Sequence, residues 1–229
     1  MLRRLGFDRY LSAFGLGLIA WAMTQSLFNA ALSFNTYGDL VFYLAAAVLI
    51  LQRRYAWILP LTVLAAVNRE TSGLIPVMLI AVAYVRGLDT DEGRRAVRIG
   101  LASLIAFAAT YGIVRLAVGP AFFIDVHGKS PGIELLEYNA KGATLDLLFQ
   151  TLNILPLLAL ISLRRWPAEL KAFGLAIVPV WLVAHTFAAV LAESRLMLVP
   201  FAVVFVPGAL AGLVGLAPGA TAPARSRPR

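Results

Sequence analysis

The sequence predicts an all-α, polytopic helical membrane protein with about eight membrane segments. Of its 229 residues, 60% are hydrophobic and only 14% are charged, whereas soluble domains carry about 25% charged residues. Several apolar runs are separated by short basic clusters, which is the pattern of successive membrane helices. The chain contains no cysteine and only two histidines. Disulfides, thiolate zinc sites, a cysteine nucleophile and a multi-histidine metal site are therefore not expected.

The predicted segments follow the apolar runs in chain order. They are Leu11 to Phe34, Leu40 to Gln52, Ala56 to Val67, Leu74 to Val85, Ile99 to Val118, Leu145 to Leu163, Ala172 to Leu191 and Leu196 to Val214. The first is about 36 Å long as a helix and too long for the apolar region of a signal peptide, so we expect a retained helix. The second, third and fourth are too short to span a core of about 30 Å unaided. They need polar flanks or surrounding protein.

The connections and the tail complete the predicted organisation. Asn35 to Asp39 predicts a short polar turn, and Gly119 to Thr144 predicts a longer loop in which Ile133 to Asn139 suits a short interfacial helix. Gly208 and Gly212 form a Gly-x-x-x-Gly pair that permits close helix packing. We expect one helical membrane domain over residues 1–214 and a disordered, basic cytoplasmic tail over 215–229.

The basic residues predict an orientation in the inner or plasma membrane. If all eight segments cross and the N-terminus is cytoplasmic, fifteen of the twenty Lys and Arg residues fall on the cytoplasmic side and five fall outside. This is a strong positive-inside bias, and it places both termini in the cytoplasm. The bias also accounts for the net charge of +8 without a nucleic-acid partner.

One polar stretch, Asn68-Arg69-Glu70-Thr71-Ser72, interrupts two strongly apolar runs. Arg and Glu at membrane depth cost about 2.5–3.5 kcal/mol each on insertion scales and usually face a protein interior or an aqueous cavity. One interpretation is a short solvated turn between two helices. The other is a polar site at the rim of the membrane protein. The predicted topology favours the site, because it brings this stretch, Asp39, the 119–144 loop and the Glu193-Ser194-Arg195 turn to the same outer face.

Two motifs give the chain a resemblance to a known family. Asn68 to Ser72 opens a Pro-containing apolar segment, and Glu193-Ser194-Arg195 is followed by an apolar run that reaches Pro200. Together with the basic turn Arg53-Arg54, they resemble motifs of bacterial membrane glycosyltransferases of the C-type superfold. The resemblance covers roughly Tyr37 to Pro200. It implies an enzyme of the cell envelope that uses a polyprenyl-phosphate sugar donor and attacks it with an acceptor at the outer face.

The family's catalytic base is usually an Asp in a long first outer loop, and here the sequence departs from the pattern. The predicted first outer turn has only about five residues, and its one acid is Asp39. Either Asp39 takes the base's place, or the chain begins downstream of the catalytic loop. We expect the second, which makes the chain a truncated or reduced member of the family.

Sugar transfer from a lipid phosphate needs a carboxylate to take the acceptor's proton and donors or cations on the leaving phosphate. The candidate bases are Asp39, Glu70 and Glu193. The candidate substrate-binding residues are Asn68, Arg69, Thr71, His127, Lys129 and Arg195, with Arg115 as a further cation. No metal site and no organic cofactor are expected, while a requirement for a divalent cation is left open.

Structural pairing is the alternative explanation for these charges. Adjacent residues on a helix lie about 100° apart and do not face each other, so we expect cross-pairing of Arg69 with Glu193 and of Glu70 with Arg195. His185, inside the seventh segment, is expected to be a hydrogen-bonded packing residue. Two other function classes stay open: a transporter or lipid-handling protein, since short Pro-broken segments suit a substrate pathway, and a non-catalytic membrane subunit.

Overall fold

The computed structural model describes residues 1–29, 34–119 and 130–214, without the side chains of residues 28 and 29. Every regular element in these ranges is helical, which confirms the all-α prediction. The α-helices are α1 (Arg9–Asn29), α2 (Phe34–Leu51), α3 (Ile58–Asn68), α4 (Leu74–Arg86), α5 (Asp91–Val118), α6 (Ile133–Asn139), α7 (Gly142–Leu152), α8 (Leu155–Ile161), α9 (Ala168–Ala188), α10 (Leu198–Pro200) and α11 (Val206–Val214). A π-helical turn, Phe201–Phe205, joins the last two.

Four described stretches are long and apolar enough to cross a membrane: α2, α5, α9 and the continuous run Ser194–Val214. A fifth is possible if α7 and α8 form one span, although these two helices are bent by 75°. The apolar helices therefore fit a membrane protein, but the eight predicted spans are not confirmed. The 11 residues of α3 and the 13 of α4 reach only about 17 and 20 Å.

One end of the helix bundle, the charged end, is held together by ion pairs between three connections. Arg53 Nη1 lies 2.6 Å from Glu92 Oε2, and Arg86 Nη2 lies 3.2 Å from Glu169 Oε1. Arg86 Nη1 also donates to the Tyr55 hydroxyl at 2.7 Å. Burial and the hydrogen bond to Glu92 raise the pKa of Tyr55 above its ordinary value. The α2–α3, α4–α5 and α8–α9 connections therefore lie together at one polar end of the bundle.

The opposite end gathers the start of α2, the α3–α4 connection and the residues after α9. Asn139, at the end of α6, is buried and donates through Nδ2 to the carbonyls of Thr186 (2.9 Å) and Ala189 (2.8 Å). Its Oδ1 accepts from the Leu191 N–H at 2.9 Å. These bonds satisfy one carbonyl in the last turn of α9 and two backbone groups after it, and they fix the segment that leads to Glu193.

The core lies between α9 and the last membrane-length stretch. Phe173, Ile177 and Trp181 of α9 are fully buried, and so is Phe201 of the π-helical turn. The Gly-x-x-x-Gly pair acts as predicted. A Cβ on Gly208 would lie 2.5 Å from the Trp166 ring, and the equivalent atom on Gly212 would lie 2.7 Å from Ser162 Cβ.

One sequence-based prediction about local structure is wrong. Asn35 to Asp39 is not a turn, because α2 already begins at Phe34 and carries these residues in its first two turns. The sixth predicted segment, Leu145 to Leu163, forms two helices. The break between α7 and α8 lies at Asn153, whose backbone angles (φ 55°, ψ −151°) are not helical. The predicted short helix Ile133 to Asn139 is present as α6.

Candidate functional site

The candidate site is built on the tip of the α3–α4 hairpin, residues 68–73. Helix α3 ends at Asn68, Arg69 is extended (φ −156°, ψ 154°), and a 3-10 turn over Glu70–Gly73 leads into α4. Ser72 Oγ donates to the Arg69 carbonyl at 2.7 Å. The Tyr43 hydroxyl of α2 donates to the Thr71 carbonyl. Two backbone carbonyls at the helix break, those of Arg69 and Thr71, therefore accept hydrogen bonds. Because Arg69 is extended, its side chain does not follow the direction it would have in a continuous helix.

Three side chains of the tip converge on Asp39, whose side chain is only 1% exposed. Asn68 Nδ2 donates to Oδ1 at 2.8 Å, and Thr71 Oγ1 donates to Oδ2 at 3.4 Å. Arg69 Nη1 lies 3.5 Å from Oδ2. A buried carboxylate is tolerated when it is paired and hydrogen-bonded, and the tip supplies both kinds of contact.

The first turn of α2 completes this arrangement. Asn68 Nδ2 also donates to the Asn35 carbonyl at 2.8 Å, and Arg69 Nη1 donates to Thr36 Oγ1 at 3.5 Å. A Cβ on Gly38 would lie 3.0 Å from Asn68 Oδ1. A larger residue at position 38 would therefore push the tip away from Asp39.

A layer of aromatic rings lies beneath the polar contacts. Tyr43 meets Trp181 edge-on with ring centroids 5.6 Å apart, and Trp181 stacks on His185 at 4.8 Å. His185 Nδ1 donates to the Trp181 carbonyl at 2.9 Å. His185 is thus buried and hydrogen-bonded within α9, as expected of a packing residue. The rings separate the polar tip from the apolar core.

Helix α5 extends past the point where it contacts the hairpin tip. Gly73 packs against α5, where a Cβ on it would lie 2.8 Å from Phe107 Cε1. Beyond Phe107, α5 continues to Val118, a further rise of about 16 Å. Tyr111 stacks on Phe107 with centroids 5.7 Å apart. Arg115 Nε donates to the Tyr111 hydroxyl at 2.8 Å. Helix α5 therefore places one ring against the tip and a second ring and a cation beyond it.

The predicted cross-pairing of the two motifs is wrong. Arg69 pairs with Asp39, and Arg195 Nη2 pairs with Glu193 Oε2 at 2.6 Å. The prediction assumed helical geometry at both motifs. Glu193 is not helical (ψ 72°), and a 3-10 turn begins at Ser194. Side chains two residues apart therefore reach each other.

The remaining predicted residues divide into three groups. The Glu70 side chain is exposed and makes no hydrogen bond or ion pair with any other residue in the described ranges. The Glu193 turn is connected to the aromatic layer, because Trp181 Nε1 donates to the Leu196 carbonyl at 2.8 Å. His127 and Lys129 lie outside the described residues. Within those residues, no three His, Cys, Asp or Glu side chains are grouped to hold a metal ion.

Sequence reasoning missed the contribution of α2 beyond Asp39. Tyr43 lies four residues after Asp39, which places both on one helix face. The four-residue spacing of Asp39 and Tyr43 would have indicated this shared face if the helix had been predicted to begin at Phe34. The Phe107–Tyr111 pair has the same four-residue spacing, but nothing in the sequence indicated that this face of α5 meets Gly73.

Comparison of the chain with protein-family models, with curated proteins and with solved structures gives no match in any of the three.

Proposed function

We propose that this chain is a membrane glycosyltransferase-like protein that transfers a sugar from a polyprenyl-phosphate donor to an acceptor at the outer face of the membrane. The observation that carries the proposal is the hairpin tip. A guanidinium held by a buried carboxylate lies next to an exposed carboxylate, Glu70. Sugar transfer needs this combination of a cation for the leaving phosphate and a base for the acceptor.

Asp39 serves as the positioning residue in this proposal. Its side chain is 1% exposed and is enclosed by Asn68, Arg69 and Thr71, so an acceptor hydroxyl has no path to it. Its negative charge holds Arg69, whose side chain remains 19% exposed. The described contacts of Arg69 with Asp39 and Thr36 use Nη1. Nε and Nη2 remain for two oxygens of a phosphate, which suits the forked geometry of arginine.

Glu70 serves as the base. It takes the proton of the acceptor hydroxyl, whose oxygen forms the new bond to C1 of the sugar. The bond from C1 to the phosphate oxygen breaks, and polyprenyl phosphate leaves with that electron pair, stabilised by Arg69. Helix α5 carries a further exposed cation, Arg115, beyond the tip, on the side from which an anionic headgroup would approach.

The test uses purified wild-type protein with a polyprenyl-phosphate hexose and a polyprenyl-phosphate pentose as separate probes. We expect Glu70→Gln to reduce transfer by about 10²–10⁴-fold while donor binding changes little. Arg69→Gln should weaken donor binding by about 10–100-fold, because a charged hydrogen bond is lost. Glu137→Gln, an exposed carboxylate on α6, is the matched control and should change neither quantity.

Asp39→Asn separates the two assignments of the base. If Asp39 only positions Arg69, the variant loses donor binding and transfer together. If Asp39 is itself the base, transfer is abolished while donor binding stays nearly intact. Folded wild-type protein that binds neither donor at low salt would contradict the proposal. It would favour the transporter or subunit alternatives.

One observation favours the transporter alternative. The 75° bend between α7 and α8 is a discontinuous helix of the kind that forms substrate sites in transporters. A small cavity of about 180 Å³ lies beside the break, with Trp21, Thr151 and Asn153 among its lining residues. Uptake of a labelled solute into proteoliposomes that depends on Asn153, without sugar transfer, would support this alternative.

A further inference from the structure

An apolar groove runs along α9 near the charged end, far from the hairpin tip. It has a volume of about 500 Å³ and is lined by Leu160, Leu163, Trp166, Leu175, Val178 and Phe205. Its walls come from α8, the turn after α8, α9 and the π-helical turn. This volume falls within the range of binding sites for small molecules, about 300–1,000 Å³.

The shape of the groove depends on two residues of α9 and on a fixed indole ring. Gly174 has no side chain, and a Cβ there would lie 3.0 Å from Trp166 Cζ3. Trp166 Nε1 donates to Ser162 Oγ at 3.2 Å, and Gly208 packs against the other part of the ring. Pro179 also lines the groove. The indole is therefore a rigid wall with its polar atom already bonded.

Two cations, Arg164 and Lys171, line the same groove. Both side chains are exposed, and neither forms an ion pair with a carboxylate in the described ranges. Glu169, the nearest acidic residue in sequence, is already paired with Arg86. Arg165 points elsewhere and donates to the Gly212 carbonyl at 2.9 Å. The groove surface is thus almost entirely apolar, and two of its lining residues bring exposed positive charges that no described carboxylate pairs with.

We propose that the groove binds one anionic phospholipid, with an acyl chain against Trp166 and Val178 and the phosphate on Arg164 and Lys171. A free phosphate would leave the apolar walls uncovered, and a neutral lipid would leave the cations without a partner. The positive-inside pattern places this end in the cytoplasmic leaflet, which contains anionic lipids. The proposal depends on membrane insertion and is independent of sugar transfer.

Native mass spectrometry of the detergent-purified full chain tests the charge contribution. Phosphatidylglycerol and phosphatidylcholine with identical acyl chains are offered in equal amounts. We expect one phosphatidylglycerol to be retained preferentially. Each cation should contribute about fivefold, the equivalent of about 1 kcal/mol, so Arg164→Gln with Lys171→Gln should remove about 25-fold of the preference. Arg4→Gln with Arg95→Gln removes the same charge from exposed positions outside the groove and should preserve it.

A second pair of variants tests the apolar walls. Val178→Trp fills the groove and should reduce retention of both lipids, whereas Val180→Trp, an exposed position outside the groove, should leave retention at the wild-type level. The charge-conserving pair Arg164→Lys with Lys171→Arg must keep the preference, which separates charge loss from misfolding. Equal retention of the two lipids by the wild type would overturn the proposal. Unchanged retention in Val178→Trp would also overturn it.

Discussion

Asp39 and Arg69 lie where an isolated charge would be strongly disfavoured. Each has the other within 3.5 Å, and Asn68 and Thr71 satisfy the rest of the carboxylate. Loss of one member of a buried pair leaves an uncompensated charge, which is far more destabilising than loss of both. The pair is therefore expected to show strong energetic coupling.

We predict that Asp39→Ala lowers the free energy of unfolding by about 3 kcal/mol and that Asp39→Ala with Arg69→Ala recovers part of this loss. Equilibrium unfolding in detergent measures both. Asp91→Ala removes a carboxylate that is 100% exposed and also paired with an arginine, so it should have no measurable effect. Strictly additive costs in the Asp39–Arg69 double-mutant cycle would rule out the direct interaction.

At the scale of helices, small residues decide how closely the elements approach. Gly208 lets α11 lie against the Trp166 ring, and Gly38 and Gly73 let the hairpin tip reach α2 and α5. In contrast, Gly17 of α1 has no atom within 4 Å of the position of an added Cβ. The same substitution should therefore have opposite effects at different positions.

We predict that Gly208→Ala destabilises the protein by about 1–3 kcal/mol, because the new methyl group overpacks the contact with Trp166. Gly17→Ala is the matched control and should stabilise by roughly 0.5–1 kcal/mol, because alanine is the better helix former. Thermal unfolding of the two variants, side by side, measures the signs. Equal shifts in the same direction would contradict the close packing of α11 on the Trp166 ring.

At the scale of the whole molecule, the polar contacts described above lie at two opposite ends of the helix bundle. The charged end joins Arg53, Arg86, Glu92 and Glu169, while the opposite end contains the hairpin tip and the Asn139 contacts. The predicted orientation places the first end in the cytoplasm and the second outside.

Single cysteines test this orientation cleanly, because the chain has none of its own. Ser130→Cys lies two residues before Gly132, whose N–H donates to the Phe187 carbonyl at the tip end. Asp89→Cys lies at the charged end, between α4 and α5. In intact cells we expect an impermeant maleimide to label position 130 but not 89, and permeabilised cells to show both. Labelling of both positions in intact cells would exclude the topology.

Much of this architecture could be predicted from hydrophobic patterning. The start of α4 at Leu74 and both ends of α6 match the predicted positions. The polar tip could be predicted because the charged residues Arg69 and Glu70 lie between two apolar runs. Its partner segment was misassigned, because Asn, Gly and Asp in residues 35–39 are typical of a turn. In the folded chain these residues are helical, and Asn35 and Asp39 accept hydrogen bonds from Asn68 of the tip.

The break between α7 and α8 could not be predicted for a different reason. The break depends on the backbone dihedral angles of one residue, Asn153. An apolar run that contains Pro156 is compatible with either a straight or a broken helix. Likewise, the pairing of Glu193 with Arg195 depends on a non-helical dihedral angle that the sequence does not reveal. Periodicity predicts elements, but it does not predict where single dihedral angles interrupt them.

The Asp39–Arg69 pair has a consequence for biogenesis. Helix α2 precedes the α3–α4 hairpin in the chain, so the carboxylate is synthesised before its cation. Alone, Arg69 adds about 2.5–3.5 kcal/mol to the cost of inserting a hairpin whose arms are too short to hold it in lipid. In a membrane, pairing with Asp39 would offset part of that cost. If the chain inserts into a membrane as its apolar helices predict, insertion of the hairpin should therefore follow α2 and depend on it.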